Sequence, residues 1–496
     1  MRKFVIWALS LLFVVAMATY TLATEFKFGG SWTVRGIYWD TGVGVGSGTV
    51  DKDILEDVTY YDVRLRMDMC AKVTDKLSFH AQADSALGYP GDYERDNPLS
   101  TPDSYFGVWS GNALIGRTGQ YSYRAEYGEY APAERNPLGT AMAPLASANI
   151  GTGGNASTQR DIIFQRAYLK WATGLGTLKV GRQWAYWGHG LVEGMNRNRI
   201  EWEYEQPSYC IGFGLDKWAE GDLFLDEDDI DHYFLYAKIT KPNFEFGPYF
   251  GYARNNQPDG ALAPGSRADM NLYYTSWWLK YVMGNLSFSG EYVYKWGKSG
   301  YRLSQDLIQG IDQHGLVYDL TYNAGPCKIG YEQGYFTGPK DGASGAGVAL
   351  QDEAFVTSYS FSPFLIVGEV LVNGLAMDGR LVTATNMNCN YVSNCHYWKG
   401  FIEASPTRNL SLTTQVGYIQ ANNKIETPTN QSRNRSMGTE WDIMGTYKLT
   451  DNLSYTAAWA YLWTGGFWET IPRTPLGVTA KADDAMVFLH QIAITF

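Results

Sequence analysis

The chain has 496 residues, a formal net charge of −11 from 51 Asp and Glu against 40 Lys and Arg, and 15% aromatic residues. Such an acidic balance argues against a nucleic-acid partner, whose phosphates call for a basic surface. Five cysteines without CxxC spacing, and no HExxH, argue against a thiolate or histidine metal centre.

At the N-terminus, Arg2 and Lys3 precede an apolar run from Phe4 to Ala18, and Thr21-Leu22-Ala23 follows as a small-x-small pattern. This predicts a signal peptide over residues 1–23 and an exported mature chain over 24–496. Loss of Arg2 and Lys3 takes the charge from −11 to −13. No later run reaches the ~18 apolar residues of a spanning helix. No Pro- or Ser-rich linker divides the chain, so a single domain is expected.

The first long pattern lies at 62–84. Asp62, Arg64, Arg66, Asp68 and Lys72 alternate with Val63, Leu65, Met67, Met69 and Ala71, and the rhythm resumes after Thr74-Asp75-Lys76. A period of two is the strand period, with one polar and one apolar face. A soluble sandwich and a membrane barrel share this local pattern; in the barrel the apolar face meets lipid and the polar face a watery lumen.

The loops decide between them. Hairpins of the same kind are expected at Ile163 to Tyr186, Tyr233 to Tyr252, Asn271 to Trp296, Leu316 to Tyr335, Phe355 to Asn373, Phe401 to Gln420 and Trp441 to Trp463. Each turns tightly, the fifth near Ser362-Pro363. Longer polar stretches separate them, at 40–56, 89–159, 255–268, 298–312, 338–350, 375–394, 423–437 and 465–482. Tight turns at one end and long loops at the other are the sidedness of outer-membrane barrels.

An opening strand (Phe26 to Trp39), eight hairpins and a closing strand (Met486 to Phe496) predict an all-β, transmembrane, antiparallel up-and-down barrel of about 18 strands, within a range of 16–20. A further hairpin at Arg199 to Trp218 would raise the number to 20. Short turns would be periplasmic and long loops extracellular. Aromatics near strand ends (Tyr38, Trp39, Trp184, Tyr186, Trp187, Trp277, Trp278, Tyr461, Trp463) read as interfacial girdles.

The chain ends AMVFLHQIAITF, with Ile492, Ile494 and Phe496 at alternate places. This resembles the C-terminal assembly signal of Gram-negative outer-membrane barrels. RAYLKWATGLGTLKVGRQ (Arg166 to Gln183) resembles a hairpin of general porins. Gly438 to Gly466 is similar to the penultimate hairpin of sulfate-reducer-type porins and of alginate-export-like barrels. The resemblance implies a homotrimeric outer-membrane porin passing small hydrophilic solutes and ions, with lipid and lipopolysaccharide around it. The alternative is a substrate-selective sugar or polysaccharide channel.

Parity places Asp62, Arg64, Arg66, Asp68, Lys72, Arg166, Lys170, Glu440, Asp442 and Lys448 on the lumen side. Arg182 has the opposite parity to Lys179 and joins them only if Gly181 bulges the strand; otherwise it points to headgroups near the upper rim. The mixed signs favour a less selective pore. Asp226, Glu227, Asp228 and Asp229 offer hard oxygens for Ca²⁺, though a solvated acidic loop is the plainer reading. No other cofactor is expected. Cys389 and Cys395, six apart, are placed to staple a loop.

No GxSxG-like context accompanies the six histidines, so no enzyme is expected. Part of 89–159 is expected to fold inward and narrow the pore, with the stretch after Tyr186 (WGHGLVEGMN) as second choice. His490 faces outward by parity, and a subunit contact would cover it.

Overall fold

The computed structural model describes residues 25–41, 57–87, 163–219, 230–255, 270–304, 307–338, 361, 363–367, 394–424, 430–475, 479 and 484–496. The strands are β1 (Glu25–Thr41), β2 (Asp57–Lys72), β3 (Leu77–Leu87), β4 (Ile163–Thr173), β5 (Gly176–Tyr186), β6 (Gly194–Gln206), β7 (Tyr209–Ala219), β8 (Ile230–Lys241), β9 (Phe244–Asn255) and β10 (Met270–Met283). They continue as β11 (Leu286–Ser304), β12 (Leu307–Ala324), β13 (Cys327–Phe336), β14 (Cys395–Thr407), β15 (Leu410–Ala421), β16 (Asn430–Ser432), β17 (Ser436–Lys448), β18 (Leu453–Thr464), β19 (Thr470–Pro472) and β20 (Ala485–Thr495).

Eighteen of these form one sheet, each pairing antiparallel with its chain neighbour, and β1 closes the ring on β20. The short β16 and β19 pair only with each other. Closure removes the sheet edges that lipid could not satisfy. The seam is tied at the last residue: Gly30 and Phe496 exchange backbone hydrogen bonds of 2.9 and 3.1 Å. The Phe496 ring lies 6.4 Å from that of Phe28. Among the described residues no helix is long and apolar enough to cross a membrane.

The exterior is apolar. On β8, outward Leu235 is 53% exposed, whereas its inward neighbours His232 and Phe234 are 0% and 4% exposed. The same inversion puts Phe213 and Leu215 outside while Asp216 is buried inside. A soluble sandwich would present the opposite rows. The barrel therefore crosses a membrane, in the manner of outer-membrane barrels.

The strand number matches the expectation, but the membership differs. Arg199 to Trp218 is a wall hairpin, β6 and β7. Of the hairpin expected at Phe355 to Asn373, residues 361 and 363–367 are described, and these are not in the wall: Pro363, Phe364, Ile366 and Val367 are buried against side chains of β14, β15 and β17. The polar stretch 298–312 is not a loop either, because β11 and β12 extend through most of it, leaving only 305–306 between them.

Outward aromatics stack at the loop end, with centroids 6.2 Å apart for Tyr233–Tyr252, 4.7 Å for Tyr252–Tyr273 and 5.8 Å for Tyr273–Trp296. Trp277 and Trp463 are exposed on the exterior. Two expected girdle residues are inside instead. Trp187 is buried against Tyr236 and Tyr249, and Trp278 meets His189 edge-on at 5.0 Å.

The inner wall carries glycines under rings. A Cβ at Gly212 would come within 2.2 Å of the Tyr236 ring, one at Gly251 within 2.2 Å of Tyr274, and one at Gly334 within 2.2 Å of Tyr397. Each ring lies flat across the neighbouring strand, which only a missing side chain allows. Inward polar and aromatic side chains thereby pack as a lining.

Candidate functional site

The site is the lumen, and its wall divides into two sectors. From β1 to β5 the lining is charged, and among the described residues no inward segment covers it. Arg64, Arg66, Asp68 and Lys72 occupy one face of β2, opposite Thr33, Ser31, Gly29 and Glu25 of β1. Arg66 grips Asp84 of β3 with two bonds of 2.7 Å, so its charge is matched by a buried carboxylate. Gln82 donates to Asp68 at 2.7 Å, and His80 stacks on Tyr168 at 5.0 Å. A cavity of 330 Å³ lies here, lined among others by Lys27, Asp68, His80, Gln82, Arg166 and Tyr168.

Lys170 is cross-strand from Lys179, and Lys179 pairs with Glu203 at 3.3 Å. Arg166 donates to Asn196 at 3.2 Å and lies over Trp184. Lys72 reaches Asp75 at 3.2 Å beside the β2–β3 turn, and Lys448 is exposed at the turn end of β17. The Asp62 side chain lies outside the described residues.

From β6 to β17 the lumen is occupied by two inward segments. The first is the connection 187–193. Its backbone donates twice to Glu291 Oε2, from His189 at 2.7 Å and from Leu191 at 3.3 Å. Ser276 holds the other oxygen at 2.7 Å. Gly188 takes a φ of +55°, and a Cβ there would meet the Glu291 carboxylate at 2.6 Å, so glycine is required. Trp187 and Leu191 pack against the wall, and the tip presents His189, 3.6 Å from Asp319. Burial holds the His189 pKa below the ordinary histidine value although Asp319 opposes this. This connection was the second choice as the inward loop; 89–159 lies outside the described residues.

The second segment is 363–367. Asp442 accepts from Leu365 N–H at 3.1 Å, and Glu440 from Ile366 and Val367 N–H at 2.5 and 2.8 Å. Lys399 and Gln415 donate to the Pro363 carbonyl at 2.9 and 3.2 Å. Phe364 packs edge-on against Tyr397 at 5.4 Å. Glu440 and Asp442 are thus on the inner face as parity requires, but they do not line open water: they anchor a strap.

Beneath the first segment lies a polar network that parity alone did not reveal. Arg199 bonds Asp216 at 2.5 Å and lies 4.2 Å over the Phe234 ring. The other Asp216 oxygen meets His232 Nδ1 at 2.6 Å, and His232 Nε2 meets the Tyr274 hydroxyl at 2.7 Å. Glu193 accepts from Tyr249 at 3.0 Å and Tyr274 at 3.3 Å, and sits 3.5 Å from Arg199. Glu193, Asp216 and His232 bring three ligand-type atoms within 4.8 Å of one another. The Arg199 guanidinium contacts both carboxylates, so the cation these acids call for is a side chain. The signal for this network was the odd row of β6: Arg197, Arg199, Glu201, Glu203 and Glu205.

Gly181 does adopt a φ of +126°, but the register on both sides of it runs without a shift. Arg182 is half-buried, its Nε donating to the Gln165 carbonyl at 3.1 Å. Cys395 is buried within the core at the start of β14; Cys389, its expected partner in a staple, lies outside the described residues. So do Asp226, Glu227, Asp228 and Asp229.

No known family profile and no curated protein matches the chain. Solved structures with a similar overall course include OpdQ of Pseudomonas aeruginosa, with 10% identity, TM-score 0.48, and coverage of 95% of this chain and 97% of that one. A BenF-like porin from Pseudomonas fluorescens Pf-5 shows 9% identity, TM-score 0.48, and coverage of 95% and 98%. OccK3 (OpdO) of Pseudomonas aeruginosa shows 9% identity, TM-score 0.46, and coverage of 95% and 96%. At these scores the functional argument rests on the chain's own geometry.

Proposed function

We propose that this chain is an outer-membrane porin, a water-filled channel for passive diffusion of small hydrophilic solutes and ions. The observation that carries the reading is the inverted wall: an apolar exterior around an inner face rich in ionised groups of both signs. A ring of eighteen strands is wide enough to leave an aqueous channel beside the two inward segments. Among the described residues the two inward segments narrow that space from one side, and the β1–β5 sector is assigned as the passage. Proteoliposome swelling tests this: sugars of increasing size should enter at falling rates, and no swelling with the smallest sugar would overturn it.

A substrate-selective sugar channel is the second reading, favoured by how much of the inner wall the two segments cover. Catalysis is disfavoured by geometry. Ser289 Oγ and the Asp319 carboxylate both approach His189 through Nε2, and among the described residues no acid orients the ring from the other nitrogen. The Asp216–His232–Tyr274 chain is buried away from substrate.

A homotrimer with lipopolysaccharide at its perimeter fits the same reading. His490 is cross-strand from Gly36 and Ala457 on the outward row, a recess that a second subunit would fill. Amine-reactive cross-linking of the purified protein in detergent should give bands up to the trimer; only monomers would remove this part of the proposal.

A further inference from the structure

The outward loop-end rim carries cations where a lipid-facing wall has little use for them. Arg254 of β9, Asn271 of β10 and Lys298 of β11 are direct cross-strand neighbours. Two strand spacings separate the cations, about 10 Å between backbones, which two long side chains can close onto one anion.

Their height can be worked out. Arg254 lies ten residues beyond Phe244, the first residue after the β8–β9 turn, and Lys298 twelve beyond Leu286. At ~3.3 Å per residue and a tilt near 40°, these positions stand roughly 25 and 30 Å above the turns, the top of the apolar band. Directly below them are the stacked rings of Tyr252, Tyr273 and Trp296, the side chains that mark the headgroup level.

The two charges are not spent within the protein. Asp231, directly cross-strand from Arg254, is held by Lys217 at 3.0 Å, and Asp312, outward on β12 and cross-strand from Trp296, lies 3.5 Å from His314. Arg254 donates only to the Tyr233 hydroxyl at 3.4 Å and lies 5.7 Å over its ring, while its buried Nε has no partner. Among the described residues neither Arg254 nor Lys298 pairs with a carboxylate. In a chain with 51 acids against 40 bases, two cations on one rim without an ion-paired carboxylate call for an anionic partner in the membrane.

We propose that Arg254 and Lys298, with Asn271 between them, form a binding site for the phosphate of an outer-leaflet glycolipid whose acyl chains lie along the aromatic stack below. The guanidinium fork and the ammonium take the phosphate oxygens, and the rings take the chains. The site depends on the outer-membrane orientation in the reading above, with the loop end outward.

Native mass spectrometry of the full chain in detergent, titrated with diphosphoryl lipid A and with its dephosphorylated form, tests this. Each cation near an anionic surface contributes enough that losing both should weaken phosphorylated lipid roughly thirtyfold. The variant Arg254→Gln with Lys298→Gln should show that loss, whereas Lys241→Gln at the opposite end should not. Conductance of the double variant should equal the parent's, so failure here is distinct from failure of the channel reading. Binding within twofold of the parent, or equal binding of dephosphorylated lipid A, overturns the proposal.

Discussion

Replacing Glu440 with Gln should loosen the strap at 363–367 while leaving the barrel closed. Glu440 is 0% exposed and accepts both the Ile366 and Val367 N–H groups. Gln keeps one acceptor and turns a donor toward the second N–H, so at least one bond is lost and a buried donor is left facing another. Such a loss costs about 1–3 kcal/mol. At ~2 kcal/mol the population of the released strap rises roughly thirtyfold, since each 1.4 kcal/mol is tenfold. The barrel ladders between β15, β17 and β18 do not involve this side chain, so global stability should change little. Hydrogen exchange should show Ile366 and Val367 amides exchanging about thirty times faster, and single-channel records should show a larger or noisier open level. Unchanged exchange at both amides would refute the reasoning, leaving the apolar seat of Phe364 against Tyr397 as the anchor.

Exchanging Arg64 and Arg66 for Gln removes two cations from the open sector and strands buried Asp84, so reversal potential in a KCl gradient should move toward cations. The shift should be clearest in dilute salt, where the Debye length is about 10 Å or more; unchanged selectivity would make these arginines wall and not filter. A Gly334→Ala exchange drives a Cβ into the Tyr397 ring and should lower stability by about 1–3 kcal/mol, read as a lower melting temperature in detergent. For His189 the sign follows from its lowered pKa. The unfolded chain takes up the proton first, so its contribution is present above about pH 6.5 and is lost as pH falls through the folded value. The 187–193 connection should therefore loosen in mild acid, as a change in open level absent from His189→Gln.

The period of two carried most of the fold, because lipid outside and charge inside leave a clear mark on strands such as β2. It misled wherever the inside was not water. The Phe364-Leu365-Ile366-Val367 run looked like a wall strand because apolar residues were assigned to lipid, yet it packs on the inner face as a strap. β6 alternates as cleanly as β2, but its turn is Pro207-Ser208, without the glycine or asparagine that marked most of the other turns. The two errors offset each other, which is why 18 strands resulted. Arg64, Arg66, Lys170 and Glu440 fell on the inner face from parity alone. That Arg66 holds Asp84, that Glu440 holds a strap, and that Asp216, His232 and Tyr274 form a chain across three strands depends on register and on segments distant in sequence. A single-strand period carries no information about either.

Single-channel recording of the purified chain in planar bilayers tests the central claim most directly. Stepwise, ohmic current increments in KCl, blocked or reduced by solutes large enough to fill the β1–β5 sector, are what a water-filled lumen narrowed by two inward segments produces. Insertion verified by protease protection, with no current steps at any salt concentration, would contradict it.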